Sequence, residues 1–119
     1  MNILKDLQYF APRECDGYIE FKLPVAIKFF KSCLLLRIRQ TDGGYEIFDD
    51  GYAFDEKNED AAYYLDLYKK GGNPDYGIGL RDETFYKEYN SNFNINVAIN
   101  EFVRFFIYLD DYLMKNNIS

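Results

Sequence analysis

Between Ile99 and Leu113 the chain repeats large apolar side chains at steps of three and four: Ile99, Phe102, Phe106, Leu109 and Leu113. That spacing is the period of an α-helix, so all five fall on one side of a helix running to about Met114. Val103 and Phe105 widen the stripe. Asn94 or Asn96 stands where an N-cap is needed. A helix of this kind organises a core by lying across one face of a sheet, and the rest of the chain supplies strands for that sheet.

From Gly17 to Leu23, Tyr18, Glu20 and Lys22 alternate with Ile19, Phe21 and Leu23, which predicts a half-buried strand. Pro24 is expected to end it or to sit at an edge. Val25 to Phe30 reads equally as an extended connection or an edge strand. Cys33 to Thr41 is a second strand, with Leu36, Ile38 and Gln40 on one side and Arg37, Arg39 and Thr41 on the other. The turn Asp42-Gly43-Gly44 and the return Tyr45 to Phe48 make a hairpin. A second turn follows at Asp49-Asp50-Gly51, where glycine is expected to supply the positive φ.

Asn58 to Lys70 predicts a middle helix carrying Ala61, Ala62, Leu65 and Tyr68, with Asn58 or Asp60 as cap. Lys69 and Lys70 followed by Gly71 and Gly72 suit its C-terminal end. Tyr76 to Leu80 and Thr84 to Tyr89 predict a second hairpin through Arg81-Asp82-Glu83, its first arm weakened by Gly77 and Gly79. Met1 to Phe10 predicts a short N-terminal helix with Ile3, Leu4 and Leu7 on one face, stopped by Pro12. The 119 residues suit one domain. The expected fold is therefore a single α+β domain over residues 1–119. In it an antiparallel sheet of about four to five strands packs against the long C-terminal helix, beside a short N-terminal and a middle helix.

Composition removes several function classes. Histidine is absent, so there is no Ser-His-Asp or Cys-His pair and no HExxH zinc motif. The net charge of −6 argues against non-specific nucleic-acid binding, which needs lysine and arginine to displace counterions. The two cysteines, Cys15 and Cys33, match neither a CxxC motif nor a disulfide framework, and Cys33 reads as a small buried hydrophobe. No stretch approaches the length of a membrane span. Lys5 and Asp6 interrupt what would be the apolar core of an export signal. A cytoplasmic protein without a cofactor is expected.

Asp16-Gly17-Tyr18-Ile19-Glu20-Phe21, then Leu34-Leu35-Leu36-Arg37-Ile38, then Ile47-Phe48-Asp49-Asp50-Gly51-Tyr52 form an ordered set of segments. A helix, a β segment and a C-terminal amphipathic helix follow. In this the chain resembles a bacterial and phage-associated family, the domain of unknown function numbered 1828. Asp49-Asp50-Gly51-Tyr52 is the most specific part, and Val25 to Phe30 takes the place of the family's polar loop. The resemblance implies a fold and a prophage setting, and no biochemical role.

The candidate site residues fall in three groups. Asp49 and Asp50, with Asp55, Glu56, Glu59 and Asp60 beyond them, form the densest acidic cluster. They read as hard oxygen ligands for a divalent metal or as turn and helix-start carboxylates. An EF-hand fails, because Gly51 at its glycine position would put Glu46, Phe48 and Lys57 at the first, third and twelfth positions. Glu20-Phe21-Lys22 spells the ExK of magnesium-dependent nucleases and places Glu20 and Lys22 on one strand face. Alternating charge on a solvent face explains it as well. Lys22, Lys28, Lys31, Arg37 and Arg39 oppose the acidic region Asp42 to Asp66, a dipolar arrangement able to steer a charged partner.

The expected function is a non-enzymatic interaction module with a protein partner, binding through Asp49, Asp50, Tyr52, Arg37 and Arg39. The alternatives are a metal-dependent hydrolase, using Asp49 and Asp50 or Glu20 and Lys22, and an acidic DNA mimic. A homodimer is compatible with all three.

Overall fold

Six strands join into one antiparallel sheet with spatial order β1-β2-β3-β4-β6-β5. The computed structural model describes residues 3–27, 32–50 and 61–116, giving only the backbone at 24–27, 32 and 33. Lys28, Lys31, Gly51, Tyr52, Asp55, Glu56, Lys57, Asn58, Glu59, Asp60 and the side chain of Cys33 lie outside that description. In chain order the elements are α1 (Ile3–Asp6), a 3₁₀ turn (Gln8–Phe10), β1 (Arg13–Cys15), β2 (Tyr18–Ile27), β3 (Ser32–Thr41) and β4 (Gly44–Phe48). Then come α2 (Ala61–Lys70), β5 (Gly79–Arg81), β6 (Thr84–Asn90) and α3 (Ile95–Lys115).

The long helix α3 organises the core as its stripe requires. Ile99, Phe102, Phe106, Leu109 and Leu113 are all buried, and Ile95, Ala98 and Phe105 extend the same surface. They pack against Phe21, Leu23, Leu36, Ile38, Ile47 and Phe85 from one face of the sheet. Phe85 meets the rings of Phe105 and Phe106 edge-on at 5.3 and 5.6 Å. Asn94 caps the helix, its side chain accepting from the backbone N–H of Asn96 and Val97. α2 joins the same core through Ala61, Tyr64, Leu65 and Tyr68. Its first N–H, on Ala61, donates to the Glu83 carboxylate in the β5–β6 turn. That turn therefore supplies an acceptor that a distant part of the chain brings to the helix start.

Several expectations are corrected. Pro24 does not end its strand: β2 runs on to Ile27, so Val25 to Ile27 are strand. Proline is tolerated there because β1 pairs only with Tyr18, Ile19 and Glu20, which leaves the outer edge of β2 unpaired by β1 beyond them. The β2–β3 register also shifts between Lys22 and Ala26. Arg13 to Cys15, between the expected end of the N-terminal helix and the first expected strand, form the three-residue β1, which raises the sheet to six strands. In the β5–β6 hairpin Arg81 pairs with Thr84, so the turn is Asp82-Glu83 alone, both at positive φ. At the Asp49-Asp50-Gly51 turn the left-handed residue within the described chain is Asp50, with φ 53°.

Candidate functional site

Strand alternation sends polar residues of all six strands to the sheet face opposite α3. The register then sets them side by side. Arg13 lies opposite Glu20, Glu20 opposite Arg37, Arg37 opposite Phe48, and Arg39 opposite Glu46. Phe48 lies opposite Tyr86 on β6, and Gly79 of β5, which shares a face with Arg81, lies opposite Tyr86 from the other side. Four of the chain's five arginines are thereby gathered on one surface. Among the described residues no helix packs on it.

Two buried carboxylates hold these arginines. Glu20 accepts from Arg13 Nη2 at 2.9 Å and from Arg37 Nε at 3.2 Å. Glu46 accepts from Arg39 Nη2 at 2.6 Å and from Arg81 Nη2 at 3.2 Å. Arg37 also pairs with Asp50. The depths differ by charge. The Glu20 and Glu46 side chains are 12% and 2% exposed, whereas those of Arg13, Arg39 and Arg81 are 70%, 44% and 46% exposed; at the Arg37–Asp50 pair the order reverses, with 25% against 59%. Glu20 and Glu46 form a floor, and Arg13, Arg39 and Arg81 an outer layer.

Aromatic rings fix that layer from below. Arg37 lies 5.1 Å from the Tyr18 ring, Arg39 4.8 Å from Phe48 and Arg81 4.3 Å from Tyr86. Each such contact contributes roughly 0.5–1 kcal/mol at a partly exposed site. Phe48 is buried although it faces away from the main core, and Tyr18 meets it edge-on at 6.5 Å. Burial works against the charge on Arg37, yet the Glu20 hydrogen bond and the field of Asp50 hold its pKa above the ordinary value. The Glu46 hydrogen bond and charge do the same for Arg81. A cleft of about 480 Å³ lies between α1 and the sheet, lined by Ile3, Leu4, Ile19, Ile38 and Tyr45 together with Tyr18 and Arg39.

The predicted site residues separate within this geometry. Glu20, Arg37, Arg39 and Asp50 belong to the face. Lys22 shares the strand face with Glu20 and is exposed. Glu20 differs from the expected solvated charge, because the arginines on both neighbouring strands cover it. Asp49 points elsewhere. It is buried, and its Oδ1 accepts from the Phe85 N–H at 2.8 Å while its own N–H donates to the Phe85 carbonyl at 3.1 Å. It thus extends the β4–β6 pairing by one residue. Arg13, Glu46 and Arg81 complete the face and were not among the predicted site residues.

Among the described residues, no three carboxylates or thiols converge on a point able to hold a metal ion, and no helix is long and apolar enough to cross a membrane. Comparisons with protein families, with curated proteins and with solved structures give no match.

Proposed function

We propose that the chain is a non-enzymatic interaction module that holds an acidic segment of a protein partner against the arginine face of its sheet. The observation that carries this reading is the difference in depth. A chain of net charge −6 turns outward the guanidiniums of Arg13, Arg39 and Arg81, whose neutralising carboxylates Glu20 and Glu46 lie beneath them. Arginine and aromatic side chains held in place by packing lose little entropy on binding, which suits them to anchor an interface. The engagement of Glu20 with two arginines, and of Asp49 with the backbone, favours this reading over a hydrolase. A cytoplasmic setting and a place beside the phage-associated family 1828 belong to the same proposal, the latter supported by the order of elements.

An array of acidic, neutral and basic peptides tests it, probed with the wild type and with an Arg39→Ser/Arg81→Ser variant. Acidic peptides are expected to bind, to be lost in the variant, and to weaken as salt rises. Preference for basic peptides, or equal binding by the variant, contradicts the proposal. Magnesium-dependent cleavage of DNA or RNA that is lost on Glu20→Ala or Asp50→Ala would put the hydrolase reading in its place.

A further inference from the structure

A second surface is independent of the arginine face. The outer side of α3 carries Val97, Asn100, Arg104, Ile107, Tyr108, Asp111 and Met114, all exposed and on one side of the helix, with Ile107 and Tyr108 adjacent at its middle. Val97, Ile107, Tyr108 and Met114 are 58%, 44%, 42% and 45% exposed. A single exposed apolar residue needs no explanation, but four on one helical line form a patch. Tyr108 is also held in place, stacked on Tyr76 with ring planes 18° apart.

The charges on this stripe are arranged as a mirror. Arg104 lies three residues before Ile107, and Asp111 lies three residues after Tyr108. The midpoint between Arg104 and Asp111 therefore falls between Ile107 and Tyr108. Two copies of the helix crossing antiparallel at that point would set each Arg104 against Asp111 of the second copy, and Ile107 against Tyr108 of the second copy. In a parallel, in-register arrangement like charges would face each other instead. Arg104 makes no ion pair among the described residues. Asp111 is paired at 3.0 Å with Lys115, one turn further on, in an exposed contact that leaves it open to a second cation.

We propose that the outer face of α3 is a self-complementary contact by which two copies associate antiparallel about a two-fold axis beside Ile107 and Tyr108. Such a contact is isologous, since one patch meets its own copy and each charge pair occurs twice. It is made by one helix face alone, so the association is weak and sensitive to salt.

Sedimentation velocity of the full chain over a range of concentrations and salt tests it, with two exposed-site variants. Arg104→Asp and Asp111→Arg are each expected to raise the dimer dissociation constant about tenfold or more, because each reversal creates two like-charge pairs. Mixing the two variants is expected to restore dimers, because each reversed site then meets its opposite on the other chain. A chain that stays monomeric at every concentration overturns the proposal. So do dimers unaffected by either reversal, or variants that fail to pair when mixed although both melt like the wild type.

Discussion

At Glu46 a carboxylate with 2% of its side chain exposed sits between two guanidiniums and accepts hydrogen bonds from both. Glu46→Leu is expected to destabilise the domain by about 1–3 kcal/mol, the range for losing charge-assisted hydrogen bonds. Urea unfolding measures it. The loss should be smaller for Arg39→Gln or Arg81→Gln, since either leaves one partner for the carboxylate. Tyr68 and Tyr89 couple stability to alkaline pH. Burial, with Tyr76 and Asp75 adding to it, pushes the Tyr68 phenol up to about 12. Its hydroxyl donates to the Pro74 carbonyl at 2.6 Å. Burial and then Glu101, which accepts from its hydroxyl at 3.1 Å, raise Tyr89 further. In the unfolded chain both phenols release their protons near pH ~10, while the folded chain keeps them. Unfolding is then favoured by alkali: their stabilisation is complete below about pH 10 and is lost as pH rises through the folded values. The urea midpoint should fall steadily between about pH 9.5 and 11.5. Tyr68→Phe should start lower at neutral pH, having lost a hydrogen bond, and fall less steeply above it.

At the scale of elements, close approach of β4 to β6 depends on one glycine. A Cβ on Gly44 would meet the Tyr89 carbonyl oxygen and lie 2.7 Å from the carbonyl carbon of Asn90. Gly44→Ala is expected to cost about 1–3 kcal/mol, as overpacking does, and to speed exchange of the amides in the β4–β6 ladder. Hydrogen exchange followed by NMR distinguishes this from a global loss. This pairing was not legible in the sequence. The α3 stripe was, because seven apolar residues keep one period over four turns of helix. The Arg39–Glu46 pair was legible in principle: counting back from the two-residue turn at Asp42 and Gly43 sets those residues opposite each other. Arg81 was not, since it reaches Glu46 only through the β4–β6 pairing, whose register nothing local encodes. β1 is three residues long, too short for alternation to show. Asp49 reads as turn chemistry from its neighbours, and only the arrival of Phe85 gives its carboxylate a second task.

Over the whole molecule the sheet divides two kinds of work between its faces. One face is committed to the core with α2 and α3, where Phe102 and Phe106 are fully buried. The other carries charge and three rings, with Phe48 outside the main cluster. Phe102→Ala should cost about 3–5 kcal/mol, a large part of what a domain of this size has. It should lower the urea midpoint throughout and leave acidic-peptide affinity per folded molecule unchanged. Phe48→Ala removes a ring that supports Arg39 and packs beside Tyr18. Its cost in stability should be smaller, since part of its burial comes from the surface groups Arg39 and Tyr18 and not from the main core, while peptide affinity should drop severalfold. The pair of variants, measured by urea unfolding and by peptide titration at a temperature where both are folded, separates the two faces. If Phe48→Ala instead lost stability as Phe102→Ala does and kept its affinity, the open face would be a second small core and the arginine layer its cover.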